Sequence, residues 1–207
     1  MKKLIWGLLI FGVMMQLPTL GQSDWQVKAF AGVSDAAFLG ATLIGGPSVN
    51  VDRFQEYGVR LSWQGNSKWG METGFTYSKA TLLVETLWIP TGNPPPRPGS
   101  FTTIAPTPFE YISVPLLATY ELVSFLSLQA GPLLGFQQSE YSSWMEQSGV
   151  GYLVGVNLQH YFDRLGVFLQ PNFKQHAAIG FNQSNTRLTE FGLQLGVAYK
   201  LSSKRVN

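Results

Sequence analysis

The chain has 207 residues, 13% of them charged and 14% aromatic, with 22 glycines and no cysteine. That length suits one domain with its own interior, and the lack of cysteine excludes both disulfides and a lipid-modified N-terminal cysteine. Its formal charge of +2 falls to zero once Lys2 and Lys3 are set aside as a targeting feature, so nucleic-acid binding has no electrostatic footprint.

Lys2 and Lys3, the apolar run Leu4 to Met15 and the segment Gln16 to Gly21 form the three regions of a secretory signal peptide, with cleavage expected after Gly21. The apolar run is about half of the roughly 20 residues that a helical span needs, and no longer one follows. The expected division is a signal peptide over 1–21 and one domain over 22–207.

From there the chain reads in period two. Trp25 to Ser34 is a predicted strand with Gln26, Lys28, Phe30 and Gly32 on one face. After a connection of about 20 residues comes a hairpin, Glu56 to Ser78. Tyr57, Val59, Leu61 and Trp63 alternate with Gly58, Arg60, Ser62 and Gln64, and Trp69, Met71, Thr73, Phe75 and Tyr77 alternate with Gly70, Glu72, Gly74, Thr76 and Ser78. Pairing Trp63 with Trp69 sets Leu61 opposite Met71 and Arg60 opposite Glu72. Lys79 to Pro108 follows, with seven of the 12 prolines. Its tip should be extended and unpaired, because proline lacks the ladder donor, while Thr81 to Ile89 and Phe101 to Ile104 are candidates to prolong the ribbon.

A second hairpin spans Glu110 to Tyr120 and Leu126 to Phe136, with Tyr120 expected opposite Leu126. In a third, Val150 to Leu158 faces Val167 to Phe173 across the two-residue turn Asp163-Arg164, which sets Phe162 against Leu165 and Asn157 against Gln170. The last strand carries Phe191, Leu193, Leu195, Val197 and Tyr199 on one face and Glu190, Gly192, Gln194, Gly196, Ala198 and Lys200 on the other. Eight strands with alternating long and short connections define an all-β, antiparallel up-and-down barrel, laid out as transmembrane barrels are.

The apolar face should meet lipid. A soluble ligand-binding barrel would need a polar exterior. Here the other face combines many glycines with Lys28, Arg60, Glu72, Glu190 and Lys200, which suits a crowded lumen. Tyr57, Trp63, Trp69, Tyr77, Tyr120, Phe191 and Tyr199 lie toward the ends of the apolar face, where the two interfaces of a bilayer select aromatics. Pro115, Pro132 and Pro171 fall inside predicted strands, so bulges or shorter strands are expected there.

Tyr111 to Glu121, YISVPLLATYE, resembles the tyrosine-x-x-x-proline-leucine-leucine segment of the PorT-like outer-membrane β-barrel family of Bacteroidetes-type bacteria. The strand spacing over Trp25 to Leu201 agrees with it. Gln194 to Leu201 is similar to the C-terminal assembly signal of outer-membrane barrels, although Ser202 to Asn207 follow it. The resemblance implies a Gram-negative outer-membrane location, a surrounding of outer-membrane lipid and insertion by the barrel assembly machinery. Some relatives are linked to protein secretion, and most have no assigned activity.

Arg60, Glu72, Lys28, Glu190 and Lys200 are the candidate polar network of the lumen. Eight strands leave room for side chains only, so a structural role is preferred over a pore gate. His160 has Leu158 and Phe162 as same-face neighbours and His176 has Lys174 and Ala178, so both read as interfacial or loop histidines without the partner that a catalytic base needs. Neither has zinc spacing, and no metal or cofactor is expected. Trp88 with Pro94, Pro95, Pro96 and Arg97 is a candidate recognition surface for a protein partner, set against a solvated loop without one. The expected function is that of a non-enzymatic barrel with a structural or loop-mediated binding role. A narrow solute channel and a lipid-modifying enzyme are the alternatives.

Overall fold

The computed structural model describes residues 24–40, 48–65, 67–88, 101–139, 146–181 and 186–201. The expected signal peptide and Pro94 to Arg97 lie outside the described residues, as does the side chain of Trp88. Eight antiparallel strands among the described residues close into a barrel in sequence order. They are β1 (Asp24–Gly40), β2 (Ser48–Gln64), β3 (Trp69–Trp88), β4 (Phe101–Val123), β5 (Leu126–Gln137), β6 (Gly149–Phe162), β7 (Leu165–Gly180) and β8 (Thr186–Lys200). Closure comes from β1 on β8, paired from Gln26↔Lys200 to Gly40↔Thr186. No strand edge is left in the ring, which a span through lipid requires.

Period two sorts the faces as the sequence implies. On β2, Tyr57, Val59 and Leu61 are exposed while Glu56, Arg60 and Ser62 are buried; on β8, Phe191, Leu193, Leu195, Val197 and Tyr199 are exposed while Glu190, Gln194 and Ala198 are buried. The surface is oily and much of the interior is polar, the inverse of a soluble core.

The strands are longer than predicted. β4 runs for 23 residues, through Pro106, Pro108 and Pro115. Its pairing with β3 extends to Trp88↔Phe101, so both flanks of the proline-rich segment prolong the ribbon.

Two registers differ from expectation. In the first hairpin Trp63 faces Met71 and Arg60 faces Gly74, while Glu72 faces Ser62. A slip of two residues keeps every side chain on its face, so the pattern of faces cannot detect it. The interior packing selects it, because it sets Gly70 opposite Gln64 and Gly74 opposite Arg60. A Cβ on Gly74 would lie 2.2 Å from the Val59 carbonyl oxygen and 3.0 Å from Arg60 Cγ. In the second hairpin Tyr120 faces Leu128, not Leu126, because the chain turns tightly at Ser124-Phe125 with a bulge between Glu121 and Val123. The third hairpin is as predicted, with Phe162↔Leu165 and Leu158↔Leu169.

The bulges do not fall at Pro115, Pro132 or Pro171. They lie at Asp52/Gln55, Glu121/Val123 and Val150/Tyr152, and the register is unchanged past each proline. The strands carry through at Pro115, where the proline carbonyl accepts a 2.8 Å hydrogen bond from the Thr73 hydroxyl.

Candidate functional site

The barrel's interior is built in layers. At the level of the first hairpin, Glu72 on β3 accepts from Lys28 Nζ at 2.6 Å and from Arg60 Nη1 at 3.0 Å. Arg60 also donates to Gln170 Oε1 at 2.8 Å and, through Nη2, to Gln194 Oε1 at 2.7 Å. Its planar fork thus holds three acceptors, an arrangement a lysine could not copy. Phe30 packs against the guanidinium, with its ring centroid 4.5 Å from Cζ.

One level toward the long-loop end, Gln194 Nε2 donates to Glu56 at 2.7 Å. Glu56 is ion-paired with Lys174, which also reaches Glu190 at 3.0 Å. His176 Nε2 lies 2.5 Å from the second oxygen of Glu190, and its ring meets Tyr111 edge-on at 4.6 Å. All of these charged side chains are buried. Three acids face three permanent cations, with His176 beside them. An unpaired charge in this interior would cost several kcal/mol, which the mutual pairing avoids.

Several of the contacts join strands that are not neighbours. Arg60 to Gln170 and Glu56 to Lys174 both cross from β2 to β7, with β1 and β8 between them. The ion pairs are therefore rungs across the lumen. Above them, toward the long loops, Phe54, Leu82, Phe109, Tyr111 and Leu188 pack with Ala36 and Ala80 into a second, apolar layer. The two layers thus occupy the lumen at successive heights.

Of the five lumen residues expected from sequence, Lys28, Arg60, Glu72 and Glu190 belong to this network. Lys200 does not: its ammonium lies 3.9 Å from the Tyr161 ring centroid, at the short-turn mouth and only partly buried. Being the last residue of β8, it is about ten residues from Glu190, too far along the strand to reach it. Glu56, Lys174 and His176 were missed. His176 is a correction: it is buried inside β7 and partnered by Glu190, not a loop or interfacial side chain. The parity of β7 carries the signal, since Lys174 and His176 continue the even-numbered inward set of Phe168, Gln170 and Asn172. His160 does lie outward near the Asp163-Arg164 turn, edge-on to Phe162 at 4.8 Å.

The aromatics expected at the two ends of the apolar face keep its parity, but the longer strands set some of them away from the ends. Trp69 and Tyr120 pack together at 4.8 Å on the outer wall near the short-turn end, while Tyr57 faces Tyr77 near the middle of β2 and β3, since both strands run on beyond the predicted hairpin. Phe191 and Tyr199 are both exposed, Tyr199 at the short-turn end of β8 and Phe191 five residues inside its other end, because β8 begins at Thr186 rather than near Phe191.

The outer end has its own fastening. β7–β8 pairing stops at Gln175↔Thr189, where Ala177 takes a left-handed conformation (φ 45°). Gln147, before β6, bridges the backbone of β8 there: its amide nitrogen donates to Thr186 O at 3.0 Å and its amide oxygen accepts from Leu188 N at 2.8 Å. Arg187 Nη1 donates to the carbonyls of Ala177 and Ala178 on β7. Side chains here replace rungs of the ladder.

An oily outer wall around a closed, polar-lined eight-strand ring defines the class as a transmembrane β-barrel. No family model and no curated protein matches the chain. Among solved structures it is similar to the outer membrane protein OprG from Pseudomonas aeruginosa, at 15% identity over 87% of this chain and 96% of that one, with a TM-score of 0.49. It is also similar to Neisserial surface protein A, at 14% identity over 87% and 99% with a TM-score of 0.47. The attachment invasion locus protein Ail of Yersinia pestis is 13% identical over 86% and 99%, with a TM-score of 0.46. At these identities the likeness is one of fold alone.

Proposed function

We propose that this chain is a small, non-enzymatic outer-membrane protein of a Gram-negative envelope whose barrel is a sealed scaffold for its long connections. The observation that carries this reading is the occupation of the lumen by two layers of side chains, the polar rungs from β2 to β7 and the apolar layer around Phe54 and Phe109. A pore cannot share that cross-section with these side chains. With transport through the lumen set aside, binding falls to the long connections, where Trp88, Pro94, Pro95, Pro96 and Arg97 are the candidate contacts for a protein partner.

In the same reading residues 1–21 are a cleaved signal peptide, residues 22–207 form the barrel domain, and the PorT-like segment Tyr111 to Glu121 marks its family. Its surroundings are outer-membrane lipid and, during insertion, the barrel assembly machinery. Cell fractionation tests the assignment. The protein should sediment with outer membrane and migrate faster on gels when unboiled. Recovery from the cytoplasm, or identical migration before and after boiling, contradicts it.

A further inference from the structure

A shallow groove of about 350 Å³ opens on the wall of β6, β7 and β8, lined among others by Leu158, Val167, Leu169 and Leu195, by Phe125 from the turn before β5, and by His160. Its form follows from local structure. The bulged turn before β5 brings Phe125 against β6, where the Phe125 carbonyl accepts from Gln159 N at 2.9 Å. Leu158↔Leu169 and Leu169↔Leu195 are ladder partners, so the floor is one band across three strands. The lining is mostly apolar, with Gln159 and His160 as its polar residues.

Depth and charge indicate an occupant. Leu158 lies four residues before Phe162, the end of β6, or roughly 13 Å along the strand, which the usual barrel tilt turns into roughly 10 Å of depth from the short-turn end, a depth that suits an acyl chain. His160 is two residues nearer the turn, and Asp163 and Arg164 form the turn itself, all three exposed. An apolar slot thus leads toward a ring N–H donor and then an acid and a base side by side. That sequence of groups complements an acyl chain, an ester or phosphate oxygen, and a headgroup bearing both phosphate and ammonium.

We propose that this groove is a specific seat for one zwitterionic glycerophospholipid of the leaflet at the short-turn end, with an acyl chain along Leu158, Val167, Leu169 and Leu195, and the headgroup at His160 and Arg164. The proposal rests on the reading of the barrel as an outer-membrane protein with its short turns in the periplasm.

The test is native mass spectrometry of the full barrel, refolded in detergent and mixed with palmitoyl-oleoyl phosphatidylethanolamine. The wild type should retain one lipid at collision energies that strip the detergent. Val167→Trp, which fills the groove, should lose that peak, and His160→Ala should weaken it. Val59→Trp, an equivalent change on the wall of β2, should keep it. If Val167→Trp fails to fold, as judged by migration of the unboiled protein, Leu195→Trp fills the same groove. Retention by the groove-filled variant at the wild-type level, equal loss in Val59→Trp, or no retained lipid in the wild type would overturn the proposal. Failure of the membrane reading would instead appear as a wild-type chain that does not fold in detergent or vesicles.

Discussion

Arg60 and Glu72 are not ladder partners, since the register pairs them with Gly74 and Ser62, yet their side chains meet 3.0 Å apart inside the barrel. Glycine opposite Arg60 makes this possible. It leaves the guanidinium free to lie across the lumen and to collect Gln170 and Gln194 from the far wall. Removing Arg60 should therefore leave Glu72 with Lys28 as its one remaining charged partner among the described residues, beside a long 3.4 Å hydrogen bond from Gln129 Nε2. In urea unfolding from lipid vesicles, Arg60→Ala should lose about 3 to 5 kcal/mol, the cost of breaking a buried pair from one side. Arg60→Lys should fall between, because a point charge keeps Glu72 but not the fork. Unchanged unfolding of Arg60→Ala would contradict the network.

The glycine makes a separate prediction. A side chain on Gly74 would meet the Val59 carbonyl at 2.2 Å, backbone that cannot step aside. Gly74→Val should cost at least the 1–3 kcal/mol typical of overpacking, about as much as losing a core contact. Wild-type stability of that variant would place the hairpin in a different register.

On the lipid face, charge should be penalised by depth. Val154 is exposed on the outer wall, in the middle of β6. Val154→Arg should destabilise the barrel in vesicles by about 2 to 4 kcal/mol, whereas the same change in Ser124, in a short turn, should cost about 1 or less. Equal effects at the two sites would mean that no apolar band surrounds the protein.

Gln147 should control the outer end of the β7–β8 seam alone. Its amide group accepts from Leu188 N and donates to Thr186 O. In Gln147→Ala, hydrogen exchange should accelerate at Leu188, while Leu195, paired with both neighbours, keeps its protection. Uniform acceleration along β8 would instead indicate global loosening.

Much of this was legible in the sequence because period two is a strong code when one face meets lipid. The strand order, the outward set of Tyr57, Trp69, Phe191 and Tyr199, and the inward set of Lys28, Arg60, Glu72 and Glu190 all follow from parity. Register was not legible in the first two hairpins, since a slip of two residues changes no face; the fit of Arg60 over Gly74 decides the first and the tight, bulged turn at Ser124-Phe125 the second. The apolar layer was hidden for another reason. Phe54 lies in what reads as a long connection, Phe109 lies next to the proline-rich stretch, and an inward phenylalanine is contrary to the rule that puts oil outside. His176 was misjudged because its partners come from β8 and β4, which adjacency in sequence cannot reveal.

Conductance across a planar bilayer tests the sealed lumen most directly. Purified barrel, shown to be inserted by its slow migration only after boiling, should give no discrete current steps in salt at either polarity. Reproducible single-channel steps from the wild-type protein would contradict the account, because current could pass only where Arg60, Glu72, Glu56, Lys174 and the apolar layer now stand.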